Sequence, residues 1–155
     1  MPKSTYAQAV DAVPMLKGRG FKVRGRSFNR ATEDNLTQVV SIQMGASDPP
    51  GTTYITGLRE NLHGLFTVNL GVYVPEVAGH HGGGAPKSWV QEYHCCVRAR
   101  LADAAGEERD IWWHARAEGA VIADVRRLLA DEGLPFLDRF ATRDRILAEW
   151  QDLAE

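Results

Sequence analysis

Residues 65–74 read Leu-Phe-Thr-Val-Asn-Leu-Gly-Val-Tyr-Val. Phe66, Val68, Leu70, Val72 and Val74 alternate with Thr67, Asn69, Gly71 and Tyr73, the period of two expected of a strand with one apolar face. Pro75 ends it, and AGHHGGGAP over residues 78–86 is a loop signal. Upstream, the β-branched stretch Leu36–Met44 predicts a second strand, and Phe21–Arg30 reads as one extended strand. GASDPPG at 45–51 separates these from the strand at 65–74. Downstream, Tyr93–Leu101 predicts a strand with Cys95, Val97, Ala99 and Leu101 on one face and His94, Cys96, Arg98 and Arg100 on the other. After the turn DAAGEE, Asp110–Arg116 reads as a short strand carrying Trp112 and Trp113.

Helical patterns flank the strands. Ser4 or Thr5 can cap a helix running to about Lys17, interrupted by Pro14, with Leu16 on its apolar stripe. Val121, Val125, Leu128 and Leu129 follow helical spacing up to a stop at Gly133, and Pro135 suits the first turn of a short helix. Thr142 can cap a last helix that buries Ile146, Leu147, Trp150 and Leu153. Segregated strands and helices imply an α+β class: an antiparallel sheet of about five strands, with the N-terminal helix and C-terminal helices packed on one face. The other face is expected to be partly open to water.

At 155 residues and 44% hydrophobic, the chain fits one domain, 1–155, large enough to fold without metal or disulfide. The adjacent Cys95 and Cys96 are the only cysteines and offer no disulfide framework. No apolar run reaches the roughly 18 residues of a membrane span, and residues 1–20 lack a secretory apolar core. The expectation is a cytoplasmic protein with no membrane association. Charge is uneven: residues 1–30 carry seven bases and one acid, whereas residues 103–155 carry thirteen acids and seven bases. Such asymmetry either marks an anionic partner or lets the two ends of one domain neutralise each other.

The segments LKGRGFKVRGRSFNR, VVSIQMG, FTVNLGVYVPEV, EYHCCVRARL and DIWWHA together resemble the bacterial domain of unknown function 4304 family, over roughly residues 5–116. The resemblance implies a stand-alone cytoplasmic bacterial protein. It brings no established activity and no catalytic residue. The HHGGG loop and Cys96 depart from the family pattern, which weakens a metal-ligand role for that cysteine.

One sheet would place Val40, Ile42, Phe66, Val68, Leu70, Val72, Cys95 and Val97 in the core. Its opposite face would gather Arg24, Arg26, Gln43, Asn69, Tyr73, His94, Cys96, Arg98 and Arg100. Guanidinium forks beside amides suit carboxylate or phosphate; a solvated face with internally paired arginines is the plainer explanation. His94 and Cys96, two apart on one strand, suggest a base and a thiol, but no third orienting group accompanies them. His80, His81, His94, Cys95, Cys96 and His114 lack zinc-ligand spacing, and adjacent strand residues point opposite ways, so no metal is assigned. Gly82–Gly84 matches no phosphate-binding loop, and no cofactor is assigned. Glu107-Glu108 and Asp131-Glu132 read as solvated turn and helix-end charges. Of Trp112 and Trp113, one belongs in the core and the other under a helix or at an interface.

These readings favour a non-enzymatic interaction module with a protein partner, of which a toxin-neutralising immunity protein is one concrete form. The first alternative is a small enzyme or ligand-binding domain in which His94, Cys96 and Arg98 act on an anionic small molecule between the sheet and the 76–92 loop. The second is nucleic-acid binding through the basic first strand with Arg98 and Arg100, against which the pI of 6.2 weighs.

Overall fold

The computed structural model of the chain describes residues 15–45, 65–77, 86, 88–107, 111–114 and 119–154. Strands β1 (Lys22–Arg24), β2 (Ser27–Ala31), β3 (Thr37–Met44), β4 (Leu65–Tyr73) and β5 (Val97–Arg100) lie side by side in chain order, every pair antiparallel. A two-residue β6 (Trp113–His114) also pairs with β4, at Leu65 and Phe66, while β5 pairs with Asn69–Val72. β4 is therefore central, and its outer edge is shared between β5 and β6. Helix α1 (Met15–Gly18) precedes the sheet. α2 (Leu101–Ala104) follows β5, and α3 (Gly119–Leu128), a π turn (Leu129–Gly133), α4 (Leu134–Arg139) and α5 (Arg143–Ala154) close the chain. The class is α+β, as the segregation of the sequence patterns predicts.

One sheet face carries the main core. Phe28, Val40, Ile42, Phe66, Val68, Leu70, Val72 and Val97 meet Leu16 of α1 and Val125, Leu128, Leu129, Leu134, Leu137 and Ile146 of the helical layer. A single polar side chain pins the layers together. Gln38 is 1% exposed; its amide donates to Leu137 O (3.1 Å) and Asp138 Oδ1 (3.3 Å) and accepts from Arg30 Nε (2.9 Å). Every hydrogen of that amide has an acceptor, so its burial is compensated. Arg30 also bridges to Asp138 and stacks over Phe21, one place where the basic N-terminal and acidic C-terminal portions meet. Arg143 of α5 is a second clasp, forking onto Glu76 and reaching Asp34.

The second face is covered over β4 but, as expected, partly open to water elsewhere, with Arg24, Gln43 and Arg98 exposed on it. Thr67 donates to Ile111 O at 2.8 Å, and Asn69 is 9% exposed. The segment 88–96 crosses over this face. With its amide nitrogen turned towards Val90 O, the orientation that satisfies both groups, the Asn29 carboxamide exchanges two 3.0 Å hydrogen bonds with the Val90 backbone. Cys95 sits against Gly71, where a methyl group would stand 2.7 Å from its Sγ and 2.9 Å from its Cβ. Cys95 is thus buried, but on the second face rather than in the main core.

Four further expectations are corrected. Phe21–Arg30 is a hairpin, because Gly25 at φ 64° supplies a two-residue loop between β1 and β2. Tyr93–Leu101 is a strand only over Val97–Arg100; Glu92–His94 form a 3-10 turn and Leu101 opens α2. Gly133 does not stop the helix. Pro135 has no N–H to continue the ladder, and the backbone widens instead, with Leu134 N–H donating to Leu129 O. On α5, Thr142 caps through Arg145 N–H as expected and Ile146 is buried, but Leu147 and Trp150 are half exposed. Of the helix predicted to run to about Lys17, residues 4–14 lie outside the described residues, and α1 at Met15–Gly18 covers its end.

Gly71→Ala should destabilise the protein by about 1–3 kcal/mol through overpacking against Cys95, read as a lowered urea midpoint. Cys95→Ala in the same chain should recover part of that loss, since its Cβ remains in the way. Asp124 accepts from Trp113 Nε1 at 2.8 Å, and that bond, followed by Arg127, holds its carboxyl below the ordinary range. Its stabilising contribution is complete above the unfolded pKa of about 4 and fades as pH falls through the depressed folded value. Asp124→Ala should cost about 1 kcal/mol at pH 7 and progressively less at acid pH, measured by denaturant unfolding at each pH.

Candidate functional site: a polar row across the second sheet face

Register aligns one polar residue from each of five strands. Arg24 pairs with Ser27, Ser27 with Ser41, Ser41 with Asn69, and Asn69 with Arg100. At about 4.8 Å per strand the row spans roughly 19 Å. It lies on the face opposite Leu70 and is bordered at one end of β3 by Gln43, whose Oε1 accepts from Asn69 Nδ2 at 2.8 Å. Arg24, Arg26, Ser27, Ser41, Gln43 and Asn69 floor a cleft of about 530 Å³, and Gln91–Tyr93 form its wall. Beyond that wall, Arg24, Pro86, Ser88, Trp89, Tyr93 and His94 line an adjoining hollow.

The residues differ in how far their polarity is already used. Arg98 is committed: its guanidinium forks onto both Glu92 oxygens at 2.7 and 2.9 Å, and that bond raises its pKa while holding the charge on the face. Arg100 lies over the Trp112 ring at 5.2 Å, and its backbone N–H donates to Asp103. Arg24 is exposed, and its one side-chain contact among the described residues is a long 3.5 Å approach to Ser88 Oγ. Beside it, the Ser27 hydroxyl is buried with no hydrogen-bond partner among the described residues, and so is the Trp89 indole N–H. An unmet buried group of this kind costs about 1–3 kcal/mol.

Of the nine side chains expected on this face, Arg24, Arg26, Gln43, Asn69, Arg98 and Arg100 line the cleft or the hollow beside it, which Glu92 and Asp103 also border. Tyr73 shares the face but lies four residues along β4, opposite Thr37. His94 is buried, and its Nδ1 accepts from Gln91 N–H at 2.9 Å within the 3-10 turn. Cys96 is the correction: it precedes β5 and packs against the main core, near Val72 O. Burial raises its thiol pKa, and burial pushes that of Cys95 far higher. Thiol, imidazole and Arg98 therefore do not converge on one point. Trp113 is core, stacked on Phe66 at 5.6 Å, which removes it as an interface residue; Trp112 is half-buried beneath Arg100. Among the described residues, no three His, Cys, Asp or Glu side chains are grouped to hold a metal. His80 and His81 lie outside them.

Ser27, Ser41 and Trp89 were not among the expected site residues. Ser27 becomes visible in sequence only once Gly25-Arg26 is taken as a hairpin loop, because that loop fixes which residues of β1 and β2 share a face.

Fold and site together define a small α+β domain that presents an arginine- and amide-lined cleft on the non-helical side of an antiparallel sheet. The chain belongs to the domain of unknown function 4304 (DUF4304) family, whose model matches residues 59–139. The match therefore takes in β4, β5, β6 and the helical layer as far as α4. No curated protein and no solved structure matches the chain.

Both thiols should react slowly with iodoacetamide at neutral pH and normally after denaturation, since a protonated buried thiol is a poor nucleophile. Rapid, stoichiometric labelling of Cys96 in the folded protein would instead restore the cysteine-nucleophile reading.

Proposed function

We propose that this domain is a non-enzymatic interaction module that engages a protein partner through the second sheet face. The observation that carries the proposal is the aligned row from Arg24 to Arg100, open at the Arg24 end and walled by Gln91–Tyr93. It supplies recognition groups, guanidinium, hydroxyl and carboxamide, on a rigid floor. Among the described residues, the thiol and imidazole read as a nucleophile and base are turned away or tied up: Cys96 faces the core and His94 Nδ1 is occupied by its own turn. An acidic flank at Glu92 and Asp103 and a net charge of −2 disfavour a long polyanion such as nucleic acid, which needs a continuous basic track. A toxin-neutralising immunity protein remains one concrete form of the proposal, with the toxin as partner.

The test is affinity capture of the tagged chain from its native cells, with and without nuclease, beside the double variant Arg24→Glu, Arg26→Glu. Both positions are exposed, so the variant should keep the wild-type unfolding midpoint. A stoichiometric protein retained after nuclease and lost with the variant is the expected result. Recovery that disappears on nuclease treatment would replace this reading with the nucleic-acid one.

A further inference from the structure

We propose that the Arg24 end of the cleft captures a single carboxylate from the protein partner, held by the Arg24 guanidinium and the Ser27 hydroxyl. This inference rests on the interaction-module reading and names the chemistry of what is bound. Ser27 is 3% exposed, lines the cleft, and its hydroxyl makes no hydrogen bond among the described residues. It is the directly paired neighbour of Arg24 on the same face, so one carboxylate can accept from both. On the other side of Arg24, the Trp89 indole N–H is a second buried donor without an acceptor. Donors with unmet capacity thus flank an exposed guanidinium on both sides, an arrangement that calls for an acceptor-only, negatively charged group.

The site suits one charge rather than several. Arg98 is neutralised by Glu92, and Glu92 and Asp103 border the hollow next along the row, so a second negative group extending towards Arg100 would meet like charge. Tyr93, 53% exposed on the shared wall, offers an aromatic surface to the methylene stem or neighbouring residue of an acidic side chain. These features point to a Glu or Asp side chain, or a chain-terminal carboxylate, presented by a polypeptide.

The proposal is tested by ¹⁵N NMR on the full chain, with the Trp89 indole resonance assigned from Trp89→Phe. The probes are N-acetylglutamate N-methylamide, its neutral glutamine counterpart, N-acetylglycine for a terminal carboxylate, and inorganic phosphate. The Trp89 indole signal should move saturably at millimolar concentrations of a carboxylate probe and stay still with the glutamine probe. Whichever carboxylate binds tighter identifies side chain or terminus as the source. Arg24→Ala should weaken that binding by about tenfold or more, since a charge-assisted contact is lost, and Ser27→Ala should weaken it less while leaving the fold intact. Equal response to the glutamine probe, tighter binding of phosphate, or an unchanged response in Arg24→Ala would overturn the assignment. If captured partner is lost with the double variant yet no carboxylate moves Trp89, the carboxylate site fails and the interaction module stands. If carboxylate binds at Arg24 and no protein is captured, the site stands and the module reading fails.

Discussion

The close approach of Cys95 to Gly71 is the contact on which the second face depends. β4 is nine residues long, and all but its two end residues are buried. A strand in that position needs a cover on both sides. The helical layer covers one side with apolar side chains; on the other there is no helix among the described residues, only the segment 88–96 lying across the sheet. A side chain at position 71 would lift that segment away. Because it lies flat, Asn29 reaches the Val90 backbone, Glu92 meets Arg98, and Gln91–Tyr93 stand as a wall beside Arg24. The cleft is therefore a consequence of how the central strand is sealed.

Ion pairs join the layers as well, and one of them, Arg30 with Asp138, links the basic N-terminal portion to the acidic C-terminal one. Arg30 meets Asp138, Arg143 meets Asp34 and Glu76, and Arg139 pairs with Glu149. Most of these pairs are exposed, where an ion pair is worth at most about 1 kcal/mol. They align layers more than they stabilise them. Gln38 differs in kind: it is buried and fully hydrogen-bonded, so truncation would leave Leu137 O and Arg30 Nε without their partner inside the interface.

What could be seen in the sequence follows from how local each signal is. β3 and β4 are legible because alternation and β-branched residues act within a few positions. The hairpin inside Phe21–Arg30 was hidden by alternation that continues on both sides of Gly25. The longer strand expected at Tyr93–Leu101 failed for a non-local reason: in the antiparallel register the residues before Val97 would face Tyr73 onward, where β4 ends, and Cys95 finds apolar cover by folding over Gly71 instead of extending the ladder. Leu147 and Trp150 carry helical spacing, yet the layer they would complete is already filled by Leu134, Leu137 and Ile146. Composition and parity found six of the cleft-lining residues, but Ser27, Ser41 and Trp89 follow from register and from the path of a crossing segment, neither of which one strand's pattern contains.

Register also separates the arginines by what they can still do. Arg98 and Arg100 drew attention in the sequence as a stripe; within the chain the Arg98 guanidinium forks onto Glu92 and the Arg100 guanidinium lies over the Trp112 ring. Binding through them would first have to break those contacts and would return little net gain. Arg24, on the short edge strand β1, has one long contact and two unmet donors for neighbours, so an acceptor arriving there displaces no strong internal bond. The difference in available free energy, rather than the count of positive charges, is the reason the proposed carboxylate site is drawn at β1.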